Sequence, residues 1–172
     1  MGTRIEAVKR RAARSLRAAF GAPAPDGVRL EGTVVSNDMV TLEVVLDGQT
    51  TSTDIYSFAF DILLSDPSVI QFTGLALEGD VLVPTFPQEV KVLVTQQGDR
   101  VIVGVSKTMG GAGNGFGAEE RLILSMDFTV NSGSTTLTFD STPAMKAPTA
   151  FDSALGPIPS ITFDAMPATI SR

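Results

Sequence analysis

The sequence predicts an all-β protein, a β-sandwich of about nine strands, and three observations carry that prediction. From Val28 to Phe163 apolar residues recur with period two, the spacing at which a strand turns one face to a core and the other to water. Gly 16 and Pro 10 break that pattern into short runs joined by tight turns. The polar residues between the apolar ones mean that no single sheet can bury its apolar side alone, so two sheets close face to face. A chain of 172 residues is long enough for one such two-layer core.

Val28, Leu30 and Val34 begin the alternation, and after a turn at Ser36-Asn37-Asp38 it continues through Val40, Leu42 and Val44. The loop Asp47-Gly48-Gln49-Thr50-Thr51-Ser52-Thr53 leads into the strongest strand, where Tyr56, Phe58, Phe60 and Ile62 share one parity and Ser57, Ala59 and Asp61 the other. A turn at Ser65-Asp66-Pro67-Ser68 starts a second apolar stretch. Val81 and Val83 form a short piece; Val90, Val92 and Val94 follow Pro84 and Pro87. Gln96-Gln97-Gly98-Asp99 reads as a hairpin turn that returns through Val101, Val103 and Val105. Beyond a glycine-rich loop, Leu122, Leu124, Met126, Phe128 and Val130 alternate with Ser125, Asp127 and Thr129. Asn131-Ser132-Gly133-Ser134 turns into Leu137 and Phe139, and Ile161 and Phe163 form the last strand. Shared parity assigns Phe58, Phe60, Val92, Val103, Leu124, Phe128 and Phe139 to the core.

Residues 1–21 read differently. Arg4, Lys9, Arg10, Arg11, Arg14 and Arg17 face the single acid Glu6, whereas the whole chain carries a net charge of -6, so the body is strongly acidic. Ile5, Val8, Ala12, Leu16, Ala19 and Phe20 recur at spacings of three and four, which predicts a short basic amphipathic helix. Residues 22–27 form a Pro/Gly linker, and residues 28–172 the sandwich domain. Such a helix packs on its own domain, frays in solution, or docks an acidic surface, whether a partner subunit, a nucleic acid or anionic lipid, through Arg10, Arg11, Arg14 and Arg17. Nucleic acid is the weakest candidate, because no aromatic residues interleave the cations and the body would repel it.

Composition removes much chemistry. Without Cys there is no disulfide, thiolate metal site or Cys nucleophile. Without His there is no usual general base, no common zinc ligand and no serine triad. The spacing of Gly113, Gly115 and Ala118 imitates a dinucleotide fingerprint, but period-two alternation follows, so a strand rather than a phosphate-binding helix comes next. Adjacent acids Glu119 and Glu120 point to opposite faces of a strand and do not make a working carboxylate pair. No cofactor is required by any motif. Asn37-Asp38, Asp47, Asp54 and Asp152 sit in or beside loops and admit a structural calcium ion, although no run has the spacing of a calcium loop, so the metal ligands are left unassigned. No apolar run is long enough to span a bilayer, and no apolar core follows the basic N-terminus to make a secretory signal.

Four stretches in order then carry a family resemblance: VTLEVVLDG from Val40, IYSFAFDILLSDPSVIQF from Ile55, RVIVGVSKTMGGAG from Arg100, and ERLILSMDFTV from Glu120 leading into STTLTF. Residues 28–168 resemble a cohesin domain, in particular the cohesin-like modules of bacterial exported proteins. The resemblance implies a nine-stranded sandwich of jelly-roll topology that binds a partner module through one sheet face. It places Ser57, Ala59 and Asp61 on that face. It also implies an extracellular or cell-surface setting, with a virion or cytoplasmic assembly as the alternative. The expected function is therefore a non-catalytic interaction module that docks another protein through a sheet face, not an enzyme. The alternative is a structural subunit of an ordered assembly of its own copies, such as a surface layer, filament or virion, with the helix packing on a neighbour. Carbohydrate binding, by analogy of fold alone, is the third reading.

Overall fold

The computed structural model describes residues 16–20, 27–47, 53–84, 86–115, 119–142 and 147–172. These form β-strands and connecting turns with no helix. In chain order the strands are β1 (Arg17–Ala19), β2 (Gly27–Ser36), β3 (Met39–Leu46), β4 (Ser57–Leu64), β5 (Ile70–Glu78) and β6 (Val90–Gln97), then β7 (Arg100–Lys107), β8 (Arg121–Val130), β9 (Ser134–Phe139), β10 (Thr149–Phe151), β11 (Thr162–Phe163) and β12 (Ala168–Ser171). A seven-stranded sheet runs in the order β1-β12-β9-β4-β7-β6, with β10 also on β4; a five-stranded sheet runs β11-β2-β3-β8-β5. Only the short β11 lies parallel to its neighbour.

The alternation seen in the sequence is what joins the two layers. On β4, Phe58, Phe60, Ile62 and Leu64 are buried while Ser57, Ala59, Asp61 and Leu63 are half-exposed. Opposite them in the other sheet, Val40, Leu42, Val44 and Leu46 of β3 and Leu124, Met126, Phe128 and Val130 of β8 are buried. Phe60 sits edge-on to Phe139 with ring centroids 5.3 Å apart, and Phe163 closes the group at 5.1 Å from Phe139. Aromatic pairs at this separation add to the gain from burial alone.

Where the sandwich would gape, between the edge strands β5 and β6, a side chain stitches it. Gln96 of β6 accepts a hydrogen bond from the Phe72 amide at 2.7 Å and donates to the Ile70 carbonyl at 3.1 Å. One amide side chain thus satisfies two backbone groups of β5 as a neighbouring strand would. Just beyond Phe72 the β5 ladder breaks and resumes at Ala76, and the chain between them passes through Gly74 at φ 91°, a conformation that favours glycine.

Several expectations need correction. The helix expected over residues 1–21 falls largely outside the described residues, but its last part is a strand. Arg17, Ala18 and Ala19 pair antiparallel with Ser171, Ile170 and Thr169 of β12. Leu16 is buried in the core, and Phe20 packs against Gly32, where an added Cβ would come within 2.6 Å of the Phe20 ring. Tertiary pairing overrides the helical propensity of Ala and Arg, as it does for any short segment offered an open sheet edge. Twelve strands are described rather than nine. The additional ones are short, and Ile161 precedes β11, a two-residue strand that β12 follows. Val92 is half-buried because β6 lies at a sheet edge. Val83 lies outside any strand and is largely exposed.

Two substitutions test this packing. Phe60→Ala should cost about 3–5 kcal/mol and Leu16→Ala about 2–5 kcal/mol, the ranges for buried side chains of those types. Urea denaturation measures both. A negligible loss for Leu16→Ala would show that the segment before β2 does not contribute to the core.

Candidate functional site: the outer face of the seven-stranded sheet

Directly paired residues of an antiparallel ladder project to the same side, so the register maps the outer face row by row. Ser57 lies beside Ser106, which lies beside Lys91; Ala59 beside Gly104 and Leu93; Asp61 beside Ile102 and Thr95; Leu63 beside Arg100 and Gln97. The three residues expected from the sequence therefore stand in one column of a four-row surface built by β4, β7 and β6. Thr138 extends the Leu63 row onto β9.

The middle row has the least relief. Ala59 has one methyl group and Gly104 none, so the backbone is uncovered between two flanking rows. At the edge of that row Leu93 holds its side chain in solvent, 64% exposed. The ends are charged. Lys91 pairs with Glu89 at 2.8 Å. At the opposite end Arg100 bridges Asp61 at 3.1 Å and Asp140 at 2.5 Å. Asp61 is thus presented as part of an ion pair rather than as a lone carboxylate. Sequence reasoning passed over Leu93 and Gly104. A leucine on the polar parity of an otherwise alternating strand was the available signal for the first.

Arg17 reaches the same face from the far edge. It pairs with Ser171, and the β12 to β9 and β9 to β4 ladders carry the same parity across to Leu63. Arg10, Arg11 and Arg14 lie outside the described residues. The acids considered for calcium are engaged within their own turns, by arginine or by a neighbouring loop. Asp38 accepts from Ser36 and Asp152 from the amides of Ala154 and Gly156, while Asp47 stands 3.8 Å from Arg29. Asp54 accepts from Ser153 and from the Gly113 amide. Among the described residues no three acidic side chains gather into a metal-sized cluster.

Asp140 is the anchor of the charged end. Hydrogen bonds from Thr142 and then from Arg100 hold its carboxyl at about 2, below the ordinary 3.8. A carboxyl with a lowered pKa in the folded state stabilises the fold above its unfolded value, and that stability is lost as pH falls toward 2. The thermal midpoint should therefore drop less between pH 4 and pH 2 in Asp140→Asn than in the wild type. Equal drops would mean that Asp140 is not held in this way.

No protein-family model matches the chain, and no curated protein matches it. Solved structures do. A type II cohesin domain from the cellulosome of Acetivibrio cellulolyticus superimposes with a TM-score of 0.58 at 13% identity, over 84% of this chain and 93% of that one. Type II cohesin A11 from Bacteroides cellulosolvens gives 0.56 at 13% identity, over 81% and 95%. The third cohesin of ScaC from Acetivibrio cellulolyticus, solved in complex with the ScaB dockerin, gives 0.52 at 11% identity, over 75% and 86%. At such identities the likeness is one of fold: two sheets in this arrangement make a cohesin-like β-sandwich.

Proposed function

We propose that this chain is a non-catalytic docking module that binds a protein partner through the outer face of β4, β7 and β6. The observation that carries the reading is the middle row, Ala59-Gly104-Leu93: a flat, nearly bare strip of backbone with one exposed leucine, framed by ion pairs. A surface of this kind suits a second protein surface, which excludes water from the centre and leaves charges at the rim. The cohesin bound to dockerin among the structural neighbours supports the same reading, and an extracellular or cell-surface setting belongs with it. No helix of the described residues is long and apolar enough to cross a membrane.

The test is recovery of partners from the native source with wild-type chain and with the double variant Ala59→Arg, Leu93→Glu as baits. Leu93 is exposed and Ala59 half-exposed, so the variant's thermal midpoint is measured beside the wild type's to confirm folding. A partner bound through this face should lose at least about tenfold in affinity, roughly 1.4 kcal/mol. A partner held equally by both baits would place the contact elsewhere and end this reading.

The second reading, a subunit of an ordered assembly, draws on Arg17, which β1 delivers to the same face next to a strongly cationic stretch of sequence. Electrostatic association of that stretch with the acidic body of another copy would be screened within about 8 Å at physiological salt. Light scattering should then show oligomers at low salt that dissociate near 1 M salt, and that fail to form when Arg10, Arg11, Arg14 and Arg17 are all replaced by Gln. A monomer at low salt removes the assembly reading. Oligomers that survive both treatments assign the contact to apolar packing.

A further inference from the structure

Along β7 the core-facing positions are Val101, Val103, Val105 and then Lys107, which is only 3% exposed. An ammonium in that position has been carried to the end of the core on an apolar parity. Its Nζ donates to the side-chain oxygen of Asn114, to Gln88 Oε1 at 3.3 Å and to the Ala112 carbonyl at 3.5 Å. Asn114 is fixed from the other side. Its amide and carbonyl exchange hydrogen bonds with Ile55 at 2.8 and 2.7 Å, and its Nδ2 donates to the carbonyls of Val81 and Val83, both at 3.3 Å. A buried lysine and a clamped carboxamide are thereby held in contact, with the amine nitrogen next to the oxygen whose carbon it would attack. Asp54, one residue before Ile55 and bonded to the Gly113 amide, acts on the Lys107 charge.

We propose that Lys107 and Asn114 form an intramolecular isopeptide cross-link, Nζ to Cγ, that closes the glycine-rich loop 108–113 onto the end of β7. Burial favours the uncharged amine, which has the lone pair that the ammonium lacks, although Asp54 opposes this. Nζ first gives up one proton. The Nζ lone pair adds to Cγ of Asn114, the Cγ–Nδ2 bond breaks, and Nδ2 departs with a proton from Nζ as ammonia. That ammonia takes up the proton that Nζ gave up first. One ammonium and one carboxamide become one secondary amide and one ammonium ion, with no oxidant, reductant or other reactant involved. Holding both groups in place supplies the effective concentration that such a bond needs.

Intact-mass measurement of the purified full-length chain under denaturing conditions, followed by tryptic mapping, decides the matter. The cross-link removes one ammonia, so the mass should fall below the sequence mass by about 17 Da. Trypsin should fail to cut after Lys107, leaving residues 101–121 as one peptide that carries the deficit. Lys107→Arg should restore the full sequence mass. A wild-type chain at its sequence mass, or heavier, overturns the proposal. So does a succinimide at Asn114-Gly115, which gives the same deficit but leaves Lys107 cleavable and persists in Lys107→Arg.

Discussion

The register of β4 is the constraint on which both halves of this structure depend. The strand pairs with β7 on one side and with β9 and β10 on the other, so four strands share its frame. In that frame Phe58, Phe60, Ile62 and Leu64 fill the core and Ser57, Ala59 and Asp61 are outside. A slip of one residue would exchange the two sets, burying a carboxylate and exposing two phenylalanines. The binding face proposed here is therefore the necessary reverse side of the core. Its positions are fixed by the packing of Phe60 against Phe139 and Phe163 as firmly as by anything on the surface.

Electrostatics follow a second pattern. Three arginines with little exposed side chain each sit among two or more carboxylates: Arg29 with Glu31, Glu120 and Asp47, Arg100 with Asp61 and Asp140, Arg121 with Asp80 and Glu119. An acidic domain gathers its negative charge around a few cations whose planar, forked donors can serve several partners at once. Two of these clusters lie on or beside the five-stranded sheet and one on the proposed docking face. The charged rim of that face is thus part of how the domain manages its net charge, and its members do not act as independent surface groups.

What the sequence made legible was what repeats. Five strands, β3, β4, β7, β8 and β9, alternate strongly enough for their inward faces to be read directly, and Phe58, Phe60, Val103, Leu124, Phe128 and Phe139 are buried as that alternation requires. What it hid was short or decided at a distance. Ala-Arg-rich Arg17–Ala19 has the local preference of a helix and becomes a strand only because β12 offers it an open edge. β12 itself has two apolar residues on one parity, Ala168 and Ile170, too few for a periodic signal. Lys107 continues the apolar parity of β7, but its residue type points outward until the polar groups of Gln88, Ala112 and Asn114 are seen around it. The face column Ser57, Ala59, Asp61 was readable from one strand; its neighbours Gly104 and Leu93 required the pairing of three.

The antiparallel pairing of β1 with β12 has a mechanical consequence. Arg17, the first residue of β1, stands opposite Ser171, the last residue of β12. Tension applied to the chain at these two points acts across the strands, so it opens their rungs one after another, as a zipper opens. Tension applied along β4 acts differently: it loads the β7 ladder lengthwise, and all the rungs from Ser57 to Leu63 resist together. The same sandwich is therefore weaker when drawn from Arg17 and Ser171 than when drawn along β4.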